Sequence, residues 1–83
     1  MQVELEFAVG KPDHEYLYSK SEEMLFAPNL GSEIKVGYLV AEVESLDPGP
    51  TANKVYARLK PQVSLPEDKL VELLERHGYT TGP

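Results

Sequence analysis

Hydrophobic and polar residues alternate strictly from the second residue onward. Val3, Leu5, Phe7 and Val9 fall on one side, and Gln2, Glu4, Glu6 and Ala8 on the other. Period-two alternation over eight residues predicts a strand with one face buried. Gly10-Lys11-Pro12-Asp13 breaks the pattern with turn chemistry. His14 to Tyr18 then reads as the returning strand of a hairpin, with Tyr16 and Tyr18 on a common face. From Ser19 to Ser32 the polar run SKSEE, the apolar Met24-Leu25-Phe26 and the turn Pro28-Asn29-Leu30-Gly31 predict a loop. A short strand or helical turn in that loop is expected to plug its apolar residues into the core.

Residues 34 to 45 form the longest strand expected. Their apolar phase starts on even numbers (Ile34, Val36) and ends on odd ones (Leu39, Ala41, Val43), with Gly37 at the change. A glycine at such a phase flip predicts a bulge or sharp bend. Leu46-Asp47-Pro48-Gly49-Pro50 is a turn, Asn53 to Lys60 a returning strand, and Pro61 its end. Pairing Leu39 with Leu59, Ala41 with Ala57 and Val43 with Val55 gives one wholly apolar face. The opposite face then sets Glu44 against Lys54, Glu42 against Tyr56, Val40 against Arg58 and Tyr38 against Lys60.

The period changes near the carboxyl end. Ser64-Leu65-Pro66-Glu67 matches a capping box, with Pro66 in the first turn of a helix. Leu70, Leu73 and Leu74 share a helical face, Glu72 and Arg76 are spaced to pair, and Gly78 supplies a stop. A helix of about three turns is marginal alone, so its leucines are expected to dock on the sheet. The predicted fold is therefore α+β and mainly β: a curled antiparallel sheet of four or five strands with one C-terminal helix. An SH3-like barrel and an open roll both satisfy that description. Residues 1–79 are expected to form one compact domain, with 80–83 a frayed tail. Leu5, Phe7, Leu39, Val43, Leu59, Leu70 and Leu74 are the expected core.

Composition narrows function more than it assigns it. The 83 residues are 41% hydrophobic, which suits a small folded core. There is no cysteine, so thiolate metal sites, disulfides and thiol nucleophiles are excluded, and a reducing, cytoplasmic setting is expected. The first residues carry two glutamates and no apolar run, so they do not read as a secretory signal. No apolar stretch approaches the length of a membrane span. Eight basic against fourteen acidic residues leave a net charge of −6, which repels phosphate backbones and anionic membranes.

Candidate sites are few. Asp13-His14-Glu15 sets three possible ligands in a row, but strand alternation turns the imidazole away from both carboxylates. His77 closes the helix, where an imidazole suits the C-terminal dipole. Lys54, Tyr56, Arg58 and Lys60 alternate onto one strand face, the one pattern suited to single-stranded nucleic acid. Glu42 and Glu44 on the neighbouring strand oppose that reading. No Gly-rich phosphate loop, nucleophile elbow or paired-histidine motif is present, and neither catalytic residue nor cofactor is assigned.

The segments Phe26-Ala27-Pro28-Asn29-Leu30-Gly31-Ser32-Glu33-Ile34, Val40-Ala41-Glu42-Val43 and Val55-Tyr56-Ala57-Arg58-Leu59 together resemble small phage and bacterial proteins with SH3-like barrels. Such chains show a Pro-x-x-Gly-x-x-Val turn into a strand, with Ile34 here at the last position. The resemblance spans residues 24 to 60 and implies a fold and a style of binding, with no reaction. The C-terminal helix is a departure from a minimal barrel. The expected function is a small acidic, non-catalytic interaction module or accessory protein. Its partner would be another protein or a second copy joined through a sheet edge. Tyr38, Val40 and Tyr56, on the outer face of the 38–44/54–60 hairpin, are the expected contact residues. The alternative is a nucleic-acid-associated module using Lys54, Arg58 and Lys60. An enzyme ranks third, since so short a chain seldom builds a deep pocket.

Overall fold

The computed structural model describes residues 1–81. Strands β1 (Gln2–Lys11) and β2 (His14–Glu23) form a hairpin, and β3 (Glu33–Val36), β4 (Leu39–Pro48) and β5 (Lys54–Pro61) follow as a meander. Helix α1 (Glu67–Arg76) and a short β6 (Thr80–Thr81) complete the described residues. All six strands belong to one curled, half-barrel sheet in the order β3-β4-β5-β1-β2-β6. The sheet is mixed, not wholly antiparallel: β1 runs parallel to β5, with Val3 beside Val55, Leu5 beside Ala57 and Phe7 beside Leu59. The expected count of four or five strands missed two features, the division of residues 34–45 and the C-terminal strand.

Residues 34–45 are not one bent strand. Val36 pairs with Leu39 across a two-residue turn, so Gly37 and Tyr38 reverse the chain. The flip from even to odd apolar positions is the mark of that reversal, because directly paired residues share a face. Gly37 has φ +60° and Tyr38 no positive φ, the pattern of a type II′ hairpin with glycine first. A methyl at Gly37 would also lie 2.7 Å from His77 Nε2.

The β4–β5 register differs from expectation by four residues. Val43 faces Leu59 and Ala41 faces Pro61. An even shift preserves which side chains point inward, so the same apolar face forms from different partners. β4 runs on through Pro48 by means of a bulge between Val43 and Ser45, which brings Leu46 opposite Ala57. The turn expected at residues 46–50 accordingly begins later.

Two further expectations are corrected. Ser19 to Glu23 do not leave the sheet; they continue β2, with Lys20 beside Leu5 and Glu22 beside Val3. An inward lysine and glutamate are tolerated there because they pair with each other at 3.2 Å. The capping box does not form: α1 starts with Pro66 as N-cap (φ −56°, ψ 148°) and no side-chain cap. Glu67 instead accepts a hydrogen bond from the Tyr16 hydroxyl at 3.1 Å. The helix end is as expected. Tyr79 N–H bonds the Leu74 carbonyl and Gly78 N–H the Glu75 carbonyl, with Gly78 at φ +88°, a Schellman stop. Thr80 and Thr81, expected to fray, pair with Ser19 and Tyr18; residues 82–83 lie outside the described residues.

The core lies between the concave sheet face and α1. Val3, Leu5, Phe7 and Val9 of β1 are buried, as are Leu39, Ala41, Val43, Ala57 and Leu59 from β4 and β5. Leu70, Leu73 and Leu74 close over them, and Tyr79 meets Phe7 edge to face at 5.4 Å. The Tyr18 hydroxyl donates to Glu75 at 2.8 Å and ties the helix to β2. Leu74 has no exposed surface, so truncating it to alanine leaves a cavity that the strands cannot fill. Leu74→Ala is expected to lower unfolding free energy by about 2–5 kcal/mol in urea denaturation, whereas a loss below about 0.5 kcal/mol would place the helix at the periphery.

Candidate functional site

The convex face of the sheet carries the residues singled out in the sequence. On β5, Lys54, Tyr56 and Arg58 are half-buried and Lys60 is exposed, all on this face. Lys54 Nζ lies 5.3 Å from the Tyr56 ring centre. Their neighbours are acidic on both sides. Arg58 pairs with Glu6 of β1 at 3.7 Å, Tyr56 stands between Glu4 and Asp47, and Lys60 faces Glu42. β1 and β4 supply two carboxylates each, and the unforeseen parallel pairing puts those of β1 there. The stripe is therefore a neutralised row within an acidic sheet face.

Tyr38, Val40 and Tyr56 do not form one patch. Tyr38 is in the β3–β4 turn and well exposed, while Val40 is half-buried near the opposite end of β5 from Tyr56. The Val40 carbonyl accepts from Gln62 N–H, six residues beyond Tyr56. At about 3.3 Å per residue, that separates Val40 from Tyr56 by about 20 Å. Asp13, His14 and Glu15 are exposed at the β1–β2 turn, with His14 opposite Lys11 and Glu15 opposite Gly10. Residue alternation thus assigned faces correctly, but distance along a strand depends on register.

Two features escaped the sequence. The first is a cleft of about 140 Å³ where the half-barrel leaves its sides unjoined, between β2 and β3. Leu5, Met24, Ile34 and Val36 give it apolar walls. Lys20, Glu22, Lys35, His77 and Tyr79 add polar groups around them. The curl brings these residues of distant strands together, which no local pattern announces. Lys20 Nζ stands 5.8 Å from the Tyr79 ring centre. Burial, with the nearby Glu22 carboxylate second, pushes the Tyr79 phenol up to about 12. A second, more open recess of about 400 Å³ lies between the end of β5 and α1, lined by Lys60, Pro61, Gln62, Ser64, Leu65 and Leu70.

The second feature is the connection from β2 to β3. Met24 packs against the core, but Leu25 is 91% exposed, Phe26 81% and Leu30 65%. The expectation that this segment plugs the core is overturned. α1 and Tyr79 cover the middle of the concave face, and the connection leaves Leu25 and Phe26 outside it. The signal was available in part: Leu25-Phe26-Ala27-Pro28 has neither a strand nor a helical period, so nothing fixed its apolar side chains inward.

No family model, curated protein or solved structure matches the chain. Among the described residues no helix is long and apolar enough to cross a membrane.

The buried phenol has a consequence at high pH. Because the folded pKa of Tyr79 is raised above its ordinary value near 10, the fold favours the neutral ring. Its stabilising contribution is complete below pH 10 and is lost as pH climbs through about 12. The hydrogen bond that Tyr18 donates to Glu75 shifts that phenol in the same direction. Urea denaturation repeated between neutral pH and pH 12 is expected to show stability falling above pH 10. In Tyr79→Phe that fall should be shallower; an equally steep fall would show that Tyr79 ionises freely.

Proposed function

We propose that this chain is a small, non-catalytic protein-interaction module whose contact surface is the β2–β3 connection. The observation that carries this reading is the exposure of Leu25, Phe26 and Leu30 on a single connection. Together they expose on the order of 400 Å², the scale of the largest apolar patch on a typical monomer. Apolar area left in water on a chain that buries Phe7 and six of its leucines (Leu5, Leu39, Leu59, Leu70, Leu73 and Leu74) favours a binding role. The half-barrel supports the module as a rigid frame, with the connection anchored at both ends. Met24 N–H bonds the Met1 carbonyl, and Gly31 N–H bonds the Val43 carbonyl. Anchored ends reduce the ordering cost of binding.

The curled sheet also suits the resemblance to SH3-like barrels, although the parallel β1–β5 pair and α1 are departures from that plan. Tyr38, Val40 and Tyr56 take second place as contacts, being dispersed. The basic stripe comes third, because Glu4, Glu6, Glu42 and Asp47 flank it.

A photo-crosslinking residue placed at position 26 tests the reading in living cells, with position 13 at the other end of β2 as control. Discrete adducts from position 26 and none from position 13 are expected. Adducts from position 13 alone, or from neither, would overturn the proposal.

A further inference from the structure

The exposed tip and the cleft lie side by side. Met24 lines the cleft, and Leu25 and Phe26 follow it directly into solvent. The cleft measures about 140 Å³ and has apolar walls from Ile34 and Val36. A cavity of roughly 150 Å³ accepts a benzene ring, so this half-open cleft, which carries Lys20, Glu22 and Lys35 beside its apolar walls, has the volume for a single phenyl group. Phe26 is such a group, yet it does not occupy the cleft of its own chain. We infer that the partner of the tip is a second copy of this chain, with Phe26 of each protomer seated in the β2–β3 cleft of the other. This rests on the interaction reading given above and names its partner.

Symmetry favours the exchange. Because tip and cleft adjoin, a two-fold axis passing between them satisfies both contacts at once, closing the dimer and leaving no open end. Charge favours it as well. Lys20 and Lys35 against Glu22 leave the cleft with one net positive charge in a chain of −6. Lys35 is exposed and has no ion pair among the described residues. Glu23, at one end of the tip connection, is already paired with the Met1 ammonium at 2.9 Å, so Glu33 at the other end is the acidic group each tip brings toward the other copy's Lys35. The apolar area on offer is below that of a standard interface of about 1,600 Å², which makes this a weak, concentration-dependent dimer.

The chain lacks tryptophan, so Phe26→Trp provides a single fluorescent reporter at the tip. Sedimentation equilibrium and emission spectra are to be recorded from about 10 μM to about 1 mM, the range in which a contact of this size associates. The mass is expected to rise toward two copies while the tryptophan emission shifts to the blue. Phe26→Ser, with wild-type denaturation behaviour, should weaken association at least tenfold, and Lys35→Glu about threefold. In a mixture of unlabelled and 15N-labelled protein, crosslinks from position 26 should join the two labels at Ile34, Lys35 or Val36. A chain that stays monomeric to 1 mM, or a Phe26→Ser variant that dimerises normally, would overturn the inference. If position 26 captures a different protein in cells while the isolated chain stays monomeric, the second copy is excluded and the interaction reading stands. If it captures nothing, both fall.

Discussion

One ten-residue helix must keep the concave face of a six-stranded sheet dry, and the rest of the structure follows from that demand. Leu70, Leu73 and Leu74 can cover only the middle of the sheet, over β1 and its neighbours. The sheet has to curl for the remaining apolar positions to reach them. The Gly37 turn and the bulge after Val43 provide for this at one side. At the other side the Schellman stop turns the chain so that Tyr79 drops onto Phe7 and Thr80–Thr81 continue along β2. Helix docking, sheet curvature and the last strand are parts of a single solution to burying one face.

The same demand creates the cleft. A helix this short closes the centre of the half-barrel but leaves the margin between β2 and β3 open, and polar side chains are acceptable there. Lys20 and Glu22 pair at that margin, with Lys20 Nζ 5.8 Å from the Tyr79 ring centre. The connection crossing this opening does not fill it. Its apolar residues stay outside, and the fold thereby places an unoccupied recess next to an unpartnered phenylalanine.

Much of this fold was legible in the sequence, for reasons that also explain the errors. Side-chain alternation reports which face a residue takes, so the buried set of β1, β4 and β5 and the leucines of α1 could be read directly. It does not report which residue lies opposite, so an even slip in the β4–β5 register left the pattern intact. The parallel β1–β5 contact joins segments some fifty residues apart and carries no local signature. At Gly37 the phase change was visible, but a bend and a reversal produce the same flip. Ser19 to Glu23 looked like a loop because an edge strand whose inward residues form an ion pair loses its apolar alternation. The site was the least legible part. Leu25 and Phe26 read as core by composition, and only the path of the β2–β3 connection shows that they stay in solvent.

The central claim is that the core is complete without the β2–β3 connection. Amide hydrogen exchange at low protein concentration tests it most directly. The amides of Val3 to Phe7, on a stretch of β1 paired on both sides, should exchange only through global unfolding. Those of Leu25 and Phe26, which make no backbone hydrogen bond among the described residues, should exchange near the rate of an unstructured chain. Protection of Leu25 and Phe26 equal to that of β1 would place them inside the core and contradict the account.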